Sequence, residues 1–186
     1  MPAYSNTTDL AIVTGPAANG ISGAGAGTLT GGIATSAGDV NGDGYQDVLL
    51  TTAGPTAGTS LAYILFGHVG GTGDVDLNSL TGTQGVRLTV DNGTLDASAA
   101  GDVNGDGFDD VLLGAVGSSG NAWLVLGKAA GFSNVTLNGT NVAGGIINFN
   151  DYANYWGLGA TVSGVGDLDN DGFGDFVLGG GTLRDP

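Results

Sequence analysis

Cysteine is absent, which excludes disulfides, thiol nucleophiles and thiolate metal sites, and leaves the redox compartment unread. Basic residues are nearly absent too: Arg87, Lys128 and Arg184 are the whole set, against a formal net charge of −15. Nucleic acid and anionic membranes both demand clustered Lys and Arg, so neither is expected as a partner. The one histidine, His68, lies beside Gly67 and Gly70-Gly71 in an expected loop, where a solvated side chain is a simpler reading than a general base. No Ser-His-Asp or Cys-His set can be assembled, and the chain is not expected to be an enzyme. No apolar run is long enough to span a bilayer as a helix, so no direct membrane insertion is expected. The start lacks a basic region, and Leu10-Ala11-Ile12-Val13 is too short for the core of a signal peptide. If the protein is exported, its signal has been removed or lies elsewhere. Helical periodicity is missing as well, since no window keeps apolar residues at i, i+3, i+4 and i+7 over three turns.

Glutamate is the last absence: all 18 acidic residues are aspartate. Ten of them fall at fixed places in one stretch that occurs three times. It reads Gly38-Asp39-Val40-Asn41-Gly42-Asp43-Gly44-Tyr45-Gln46-Asp47, then Gly101-Asp102-Val103-Asn104-Gly105-Asp106-Gly107-Phe108-Asp109-Asp110, then Gly166-Asp167-Leu168-Asp169-Asn170-Asp171-Gly172-Phe173-Gly174-Asp175. The leading aspartates stand 63 and then 65 residues apart, a period that marks a repeat architecture.

Counting from the first aspartate, each copy puts oxygen-bearing side chains at positions 1, 3, 5 and 9 and glycine at 6. Closely spaced hard oxygens, a backbone carbonyl at position 7 and a sharp glycine turn make the front half of a calcium loop. The expected ligands are Asp39, Asn41, Asp43, the carbonyl of Tyr45 and Asp47 in the first loop. Those of the second are Asp102, Asn104, Asp106, the carbonyl of Phe108 and Asp110. Those of the third are Asp167, Asp169, Asp171, the carbonyl of Phe173 and Asp175. The back half departs from an EF-hand, because position 12 holds Leu50, Leu113 or Leu178 in place of a bidentate glutamate. A short apolar run follows instead of a helix, so position 9 is expected to hold the metal from a turn that leads straight into a strand. Single Asp/Asn/Gly turns occur without metal, but three in register favour calcium. Three bound calcium ions would bring the charge from −15 to −9.

Short apolar runs bounded by Gly, Asn, Asp and Thr fill the rest and read as strands of an all-β chain. The first unit offers residues 32–36, 48–52, 62–66 and 85–90; the second offers 94–100, 111–113, 122–126 and 145–149; the third only 160–163 and 176–178. Asp9-Leu10, Thr14-Gly15 and Gly20-Ile21 parallel Asp76-Leu77, Thr81-Gly82 and Gly85-Val86, so the chain opens with the fourth strand of a preceding unit. The second and third runs of each unit are apolar at consecutive positions, as in strands covered on both faces. Four-stranded antiparallel sheets of about 60 residues, stacked on one another, describe β-propeller blades. On this reading 1–26 is the fourth strand of a preceding blade, 27–90 the first blade, 91–149 the second and 150–186 the start of a third. About three blade equivalents fall short of the usual four to eight, so the rest is expected from a longer chain or from a second copy.

The loop pattern Asp-x-Asn/Asp-x-Asp-Gly-aromatic-x-Asp, joined to Val48-Leu49-Leu50, Val111-Leu112-Leu113 and Phe176-Val177-Leu178, resembles the FG-GAP repeats of integrin α-subunit propellers and of bacterial and algal surface proteins. The Phe-Gly element is degenerate, at Thr30-Gly31, Gly93-Thr94 and Leu158-Gly159; the Gly-Ala-Pro element survives as Ala53-Gly54-Pro55 and Gly114-Ala115 and is lost at 179–181. The resemblance implies calcium in the loop between the first and second strands of each blade, on the lower face, and ligands on the upper face. It implies a secreted or cell-surface adhesion or binding module, with an extracellular protein or carbohydrate as partner. Millimolar external calcium suits such loops, and Asn6, Asn92, Asn134 and Asn138 stand in glycosylation sequons. Two alternatives stay open: the non-catalytic propeller of a secreted hydrolase or lyase, and a structural subunit of a surface fibre. Phe149-Asn150-Asp151-Tyr152-Ala153-Asn154-Tyr155-Trp156 is the one place where a connection gains rings, so Tyr152, Tyr155 and Trp156 are candidate ligand contacts, with packing between blades as the competing role. Tyr63 and Trp123 occupy matching strand positions and are expected in the core.

Overall fold

The computed structural model describes residues 21–22, 32–68, 75–91, 93–116, 120–138, 144–150 and 157–180. These form strands β1 (Ile21–Ser22), β2 (Ala34–Gly38), β3 (Asp47–Ala53), β4 (Thr59–Leu65), β5 (Val75–Asp76), β6 (Gly85–Asp91) and β7 (Thr94–Gly101). They continue with β8 (Asp110–Val116), β9 (Asn121–Val125), β10 (Val135–Leu137), β11 (Ile146–Asn150), β12 (Leu158–Gly166) and β13 (Asp175–Gly180). The chain is all-β, and among the described residues there is no helix. Its antiparallel sheets are consistent with partial propeller blades.

The first unit is the antiparallel meander β2-β3-β4-β6, in which Leu50 pairs with Ala34 on one side and Tyr63 on the other. The second is β7-β8-β9-β11, with Leu113 between Ala97 and Trp123. The third shows the hairpin β12-β13. Each aspartate loop joins the first strand of a unit to the second, and a register shift opens the ladder at its base: Ser36/Gly38, Ala99/Gly101 and Gly164/Gly166. A bulge there bends the strand and turns the loop away from the sheet.

Alternation along the strands sorts the core into layers, because successive side chains face opposite sides of a sheet. Tyr63 and Leu65 of β4 join Leu50, Val75 and Leu77 on one face of the first sheet. Ala62 and Ile64 point the other way and meet Leu113, Trp123 and Val125 of the second unit in the largest cluster. Ala122 and Leu124 in turn face Val162 of the third unit, with Phe149 and Phe176 in tilted ring contact 5.7 Å apart at the margin. Tyr63 and Trp123 are each 1% exposed, so both are core residues, on the same side of successive sheets. The consecutive apolar residues of the inner strands are thus explained in the first two units, where both faces of the sheet are covered.

The expected four-stranded plan needs one correction. The first sheet has a fifth strand, β10, which belongs to the second unit and pairs in parallel with the outer strand β6, Val135 opposite Leu88 and Leu137 opposite Val90. In the same way β5 pairs in parallel with β1, Val75 opposite Ile21. The segments are related in sequence, Val75-Asp76-Leu77-Asn78 and Val135-Thr136-Leu137-Asn138. Each sits between the third and fourth strands of its own unit and reaches back to the outer strand of the unit before. Leu77 and Leu137, both 1% exposed, anchor these latches. Asn134 adds a side-chain contact, its Oδ1 accepting from the Arg87 amide at 2.8 Å.

Candidate metal centre

Each loop is wound around its first aspartate. In the first, Oδ1 of Asp39 accepts from the Asp43 amide at 3.0 Å and Oδ2 from the Gly44 amide at 2.8 Å. Asn41 Oδ1 also accepts from the Asp43 amide at 3.0 Å, and Asp43 Oδ1 from the Tyr45 amide at 2.9 Å. The second loop repeats these bonds at Asp102, Asn104 and Asp106, and the third at Asp167, Asp169 and Asp171, all between 2.9 and 3.2 Å. The glycine at position 6 has φ of 87°, 90° or 94°, a left-handed turn that a side chain would strain. Repeated aspartate and glycine at this spacing therefore curl the backbone, with the amides at positions 5, 6 and 7 turned toward the side chains at positions 1, 3 and 5.

The ninth position is built differently. Asp47 and Asp110 are 1% and 0% exposed at the head of the second strand. Asp47 Oδ2 accepts from the Val40 amide and Oδ1 from the Gly67 amide, both at 2.8 Å; Asp110 does the same with Val103 at 3.0 Å and Gly127 at 2.8 Å. These carboxylates close the loop and fasten it to the end of the third strand. Burial pushes both pKa values up to about 6, against the pull of those amides, and the neighbouring carboxylates at positions 5 and 1 add to the rise. Asp175 keeps the bond to position 2, Leu168 N at 2.7 Å, and is partly exposed.

Do these residues fit a metal? In the third loop, carboxylate oxygens of Asp167, Asp169 and Asp175 lie within 4.8 Å of one another, which unites positions 1, 3 and 9 around one point. The donor set is entirely oxygen, as a hard cation requires. Asn41 and Asn104 take the place of Asp169 in the other loops, so those carry one carboxylate fewer with the same backbone framework. An acidic cluster of the right composition is therefore present, and position 12 contributes nothing: Leu50 and Leu113 are 1% and 0% exposed in the core, and Leu178 packs beside Val162.

Sequence reasoning missed how the loops meet. Asp109, at position 8, accepts from the Asp39 amide through Oδ2 at 2.7 Å, and its own amide donates to the Asp39 carbonyl at 3.1 Å. At the next junction the Gly174 amide donates to the Asp102 carbonyl at 2.7 Å. The aromatic ring at position 7 lies on the glycine at position 4 of the preceding loop: a Cβ on Gly42 would overlap Phe108, and one on Gly105 would overlap Phe173. Glycine recurring at position 4 was the available signal, and in the third loop Asn170 stands there with φ 61°.

Outside the loops, His68 is exposed. Asp96 accepts from the Val162 amide at 2.8 Å and helps join the second and third units. Tyr152, Tyr155 and Trp156 lie outside the described residues. Among the described residues no helix is long and apolar enough to cross a membrane.

The family model for the FG-GAP repeat matches residues 31–65 and 95–125. Each match runs from the first strand of a unit through its aspartate loop to the third strand, β2 to β4 and then β7 to β9. Repeats of this kind are typical of extracellular or surface proteins and suggest a module for binding or adhesion. The two matched units share their loops, bulges, buried ninth aspartates and sheet order, and the chain carries two FG-GAP repeats.

Proposed function

We propose that the chain is a calcium-stabilised binding or adhesion module that acts outside the cell or at its surface. The observation that carries this reading is the third loop, where the carboxylates of Asp167, Asp169 and Asp175 converge within 4.8 Å on a framework shared by the other two loops. Bound calcium supplies positive charge that offsets the repulsion among three or four carboxylates in each loop. The chain's own part is to hold them: Asp39, Asp102 and Asp167 through the amides at positions 5 and 6, and Asp47 and Asp110 through the strand ends. The metal's role here is structural, since it fixes the loops at one end of the stacked sheets and leaves the opposite end for a partner.

That partner is an extracellular protein or carbohydrate. An acidic surface with three basic residues suits neither nucleic acid nor an anionic membrane. Tyr152, Tyr155 and Trp156, which stand in sequence between β11 and β12, are the candidate contacts for that partner. Calorimetric titration with calcium, with melting temperature followed in calcium and after chelation, tests the metal half. Uptake near three ions per chain and a clear fall in melting temperature on chelation are expected. No uptake and an unmoved melting temperature would reduce the loops to turns. A glycan array probed with and without calcium tests the ligand half.

A further inference from the structure

We infer that the three metal loops are energetically coupled in series, each tightening its predecessor through the aromatic residue at position 7 and the peptide that follows it. The inference rests on the calcium reading and adds how the sites act on one another.

The peptide group between Phe108 and Asp109 has two ends with two tasks. Its carbonyl is the position-7 oxygen of the second loop, and its N–H donates to the carbonyl of Asp39, the leading residue of the first loop. Between Phe173 and Gly174 the same unit spans the third and second loops, its N–H donating to Asp102 at 2.7 Å. A cation held at the carbonyl polarises the peptide and makes its N–H a stronger donor, since hydrogen bonds in a chain polarise one another. The ring on the same residue lies against Gly42 or Gly105, in the middle of the preceding loop, so that any reordering at position 7 is felt there. At the first junction Asp109 Oδ2 adds a bond to the Asp39 amide, and the Lys128 amide donates to the Val40 carbonyl at 2.9 Å. Thus the first loop is gripped by elements of the second at Asp39, Val40 and Gly42, and the second by elements of the third at Asp102 and Gly105.

Two effects of opposite sign compete. Bare repulsion between cations in adjacent loops would make filling one loop weaken its neighbour. Mechanical and hydrogen-bond linkage would make filling one loop strengthen it, and coupling of this kind is reciprocal. The contacts are direct and short, whereas the loops are largely open to solvent, which screens charge. The linkage therefore wins and cooperativity is positive.

The test is a calcium titration of the whole chain by NMR, following amides of each loop separately, with Gly44, Gly107 and Gly172 as reporters. Asp106→Asn weakens the second site and leaves Phe108, Asp109 and Gly42 in place. The midpoint for the first loop is then expected to move to at least about fivefold higher calcium, the lower end of ordinary allosteric coupling. Asp171→Asn, in the exposed third loop, repeats the experiment one step along and is expected to shift the second loop in the same direction. Phe108→Leu should shrink the coupling between the first and second loops while leaving that between the second and third. An unchanged or lowered midpoint in the neighbouring loop overturns the inference and leaves calcium binding intact. If no loop responds to calcium, both fall together.

Discussion

The amide of Gly127 donates to Oδ1 of Asp110 at 2.8 Å, and so ties the end of β9 to the start of β8 through a side chain that is 0% exposed. Asp110→Ala would leave this amide and that of Val103 without a partner, and is expected to destabilise the chain by about 3 kcal/mol. Asp175→Ala removes a partly exposed group with one such bond and is expected to cost clearly less. Urea denaturation of the two variants gives the comparison. Equal costs would mean that the third-strand bond contributes nothing.

Acid provides a second test, with opposite outcomes for the metal-free and loaded protein. Asp47 and Asp110 have pKa values raised to about 6 in the folded chain, above the ordinary 3.8. The folded state therefore binds their protons more tightly than the unfolded state. This contribution to stability is fully present below 3.8 and is lost as pH rises through about 6. Metal-free protein should gain melting temperature as pH falls from 7 to 5. In saturating calcium the trend should reverse, because protons displace the metal. Identical profiles in the two conditions would count against a metal at these loops.

Latching is tested at Leu137. This residue is 1% exposed and belongs to the cluster between the first two units, whereas its neighbour Thr136 is exposed. Leu137→Ala is expected to cost about 3 kcal/mol and Thr136→Ala less than about 0.5 kcal/mol in chemical denaturation. Similar small values for both would show that β10 is an ornament of the sheet edge.

The third unit carries the fourth prediction. Leu168 and Val177 are 78% and 52% exposed, although their counterparts Val40 and Leu49 in the first unit are both 0% exposed. Apolar surface of this kind seeks cover, from a further blade or another copy. Light scattering is expected to show association of the 186-residue chain, reduced by replacing Leu168 and Val177 together with Ser. A stable monomer that binds no hydrophobic dye would contradict this.

Most of this plan was legible in the sequence, for a physical reason. The aspartate loops are local: every bond that shapes the first one, apart from those that fasten it to other segments, lies within residues 39–47, so spacing alone encodes it. Strand pairs within a unit follow from short runs and short turns. The latches were invisible because β10 is three residues long and finds its partner 47 positions earlier, from Val135 to Leu88, with no periodicity to announce it. The grip of Phe108 on Gly42 was hidden for a related reason: neither residue is unusual in its own loop, and the contact exists only once one unit stacks on the next.

The latches also set an order of events during synthesis. The outer edge of β6 is closed by residues made 47 positions later. At ribosomal speeds of about 5–20 residues per second, that edge stays bare for roughly 2 to 10 s while its own sheet is already complete. Over that interval Gly85–Asp91 offers unpaired backbone to any extended segment nearby, including another nascent chain. Slowed translation between Asp91 and Val135 would lengthen the exposure without altering a single residue of the protein. Each unit is finished by its successor.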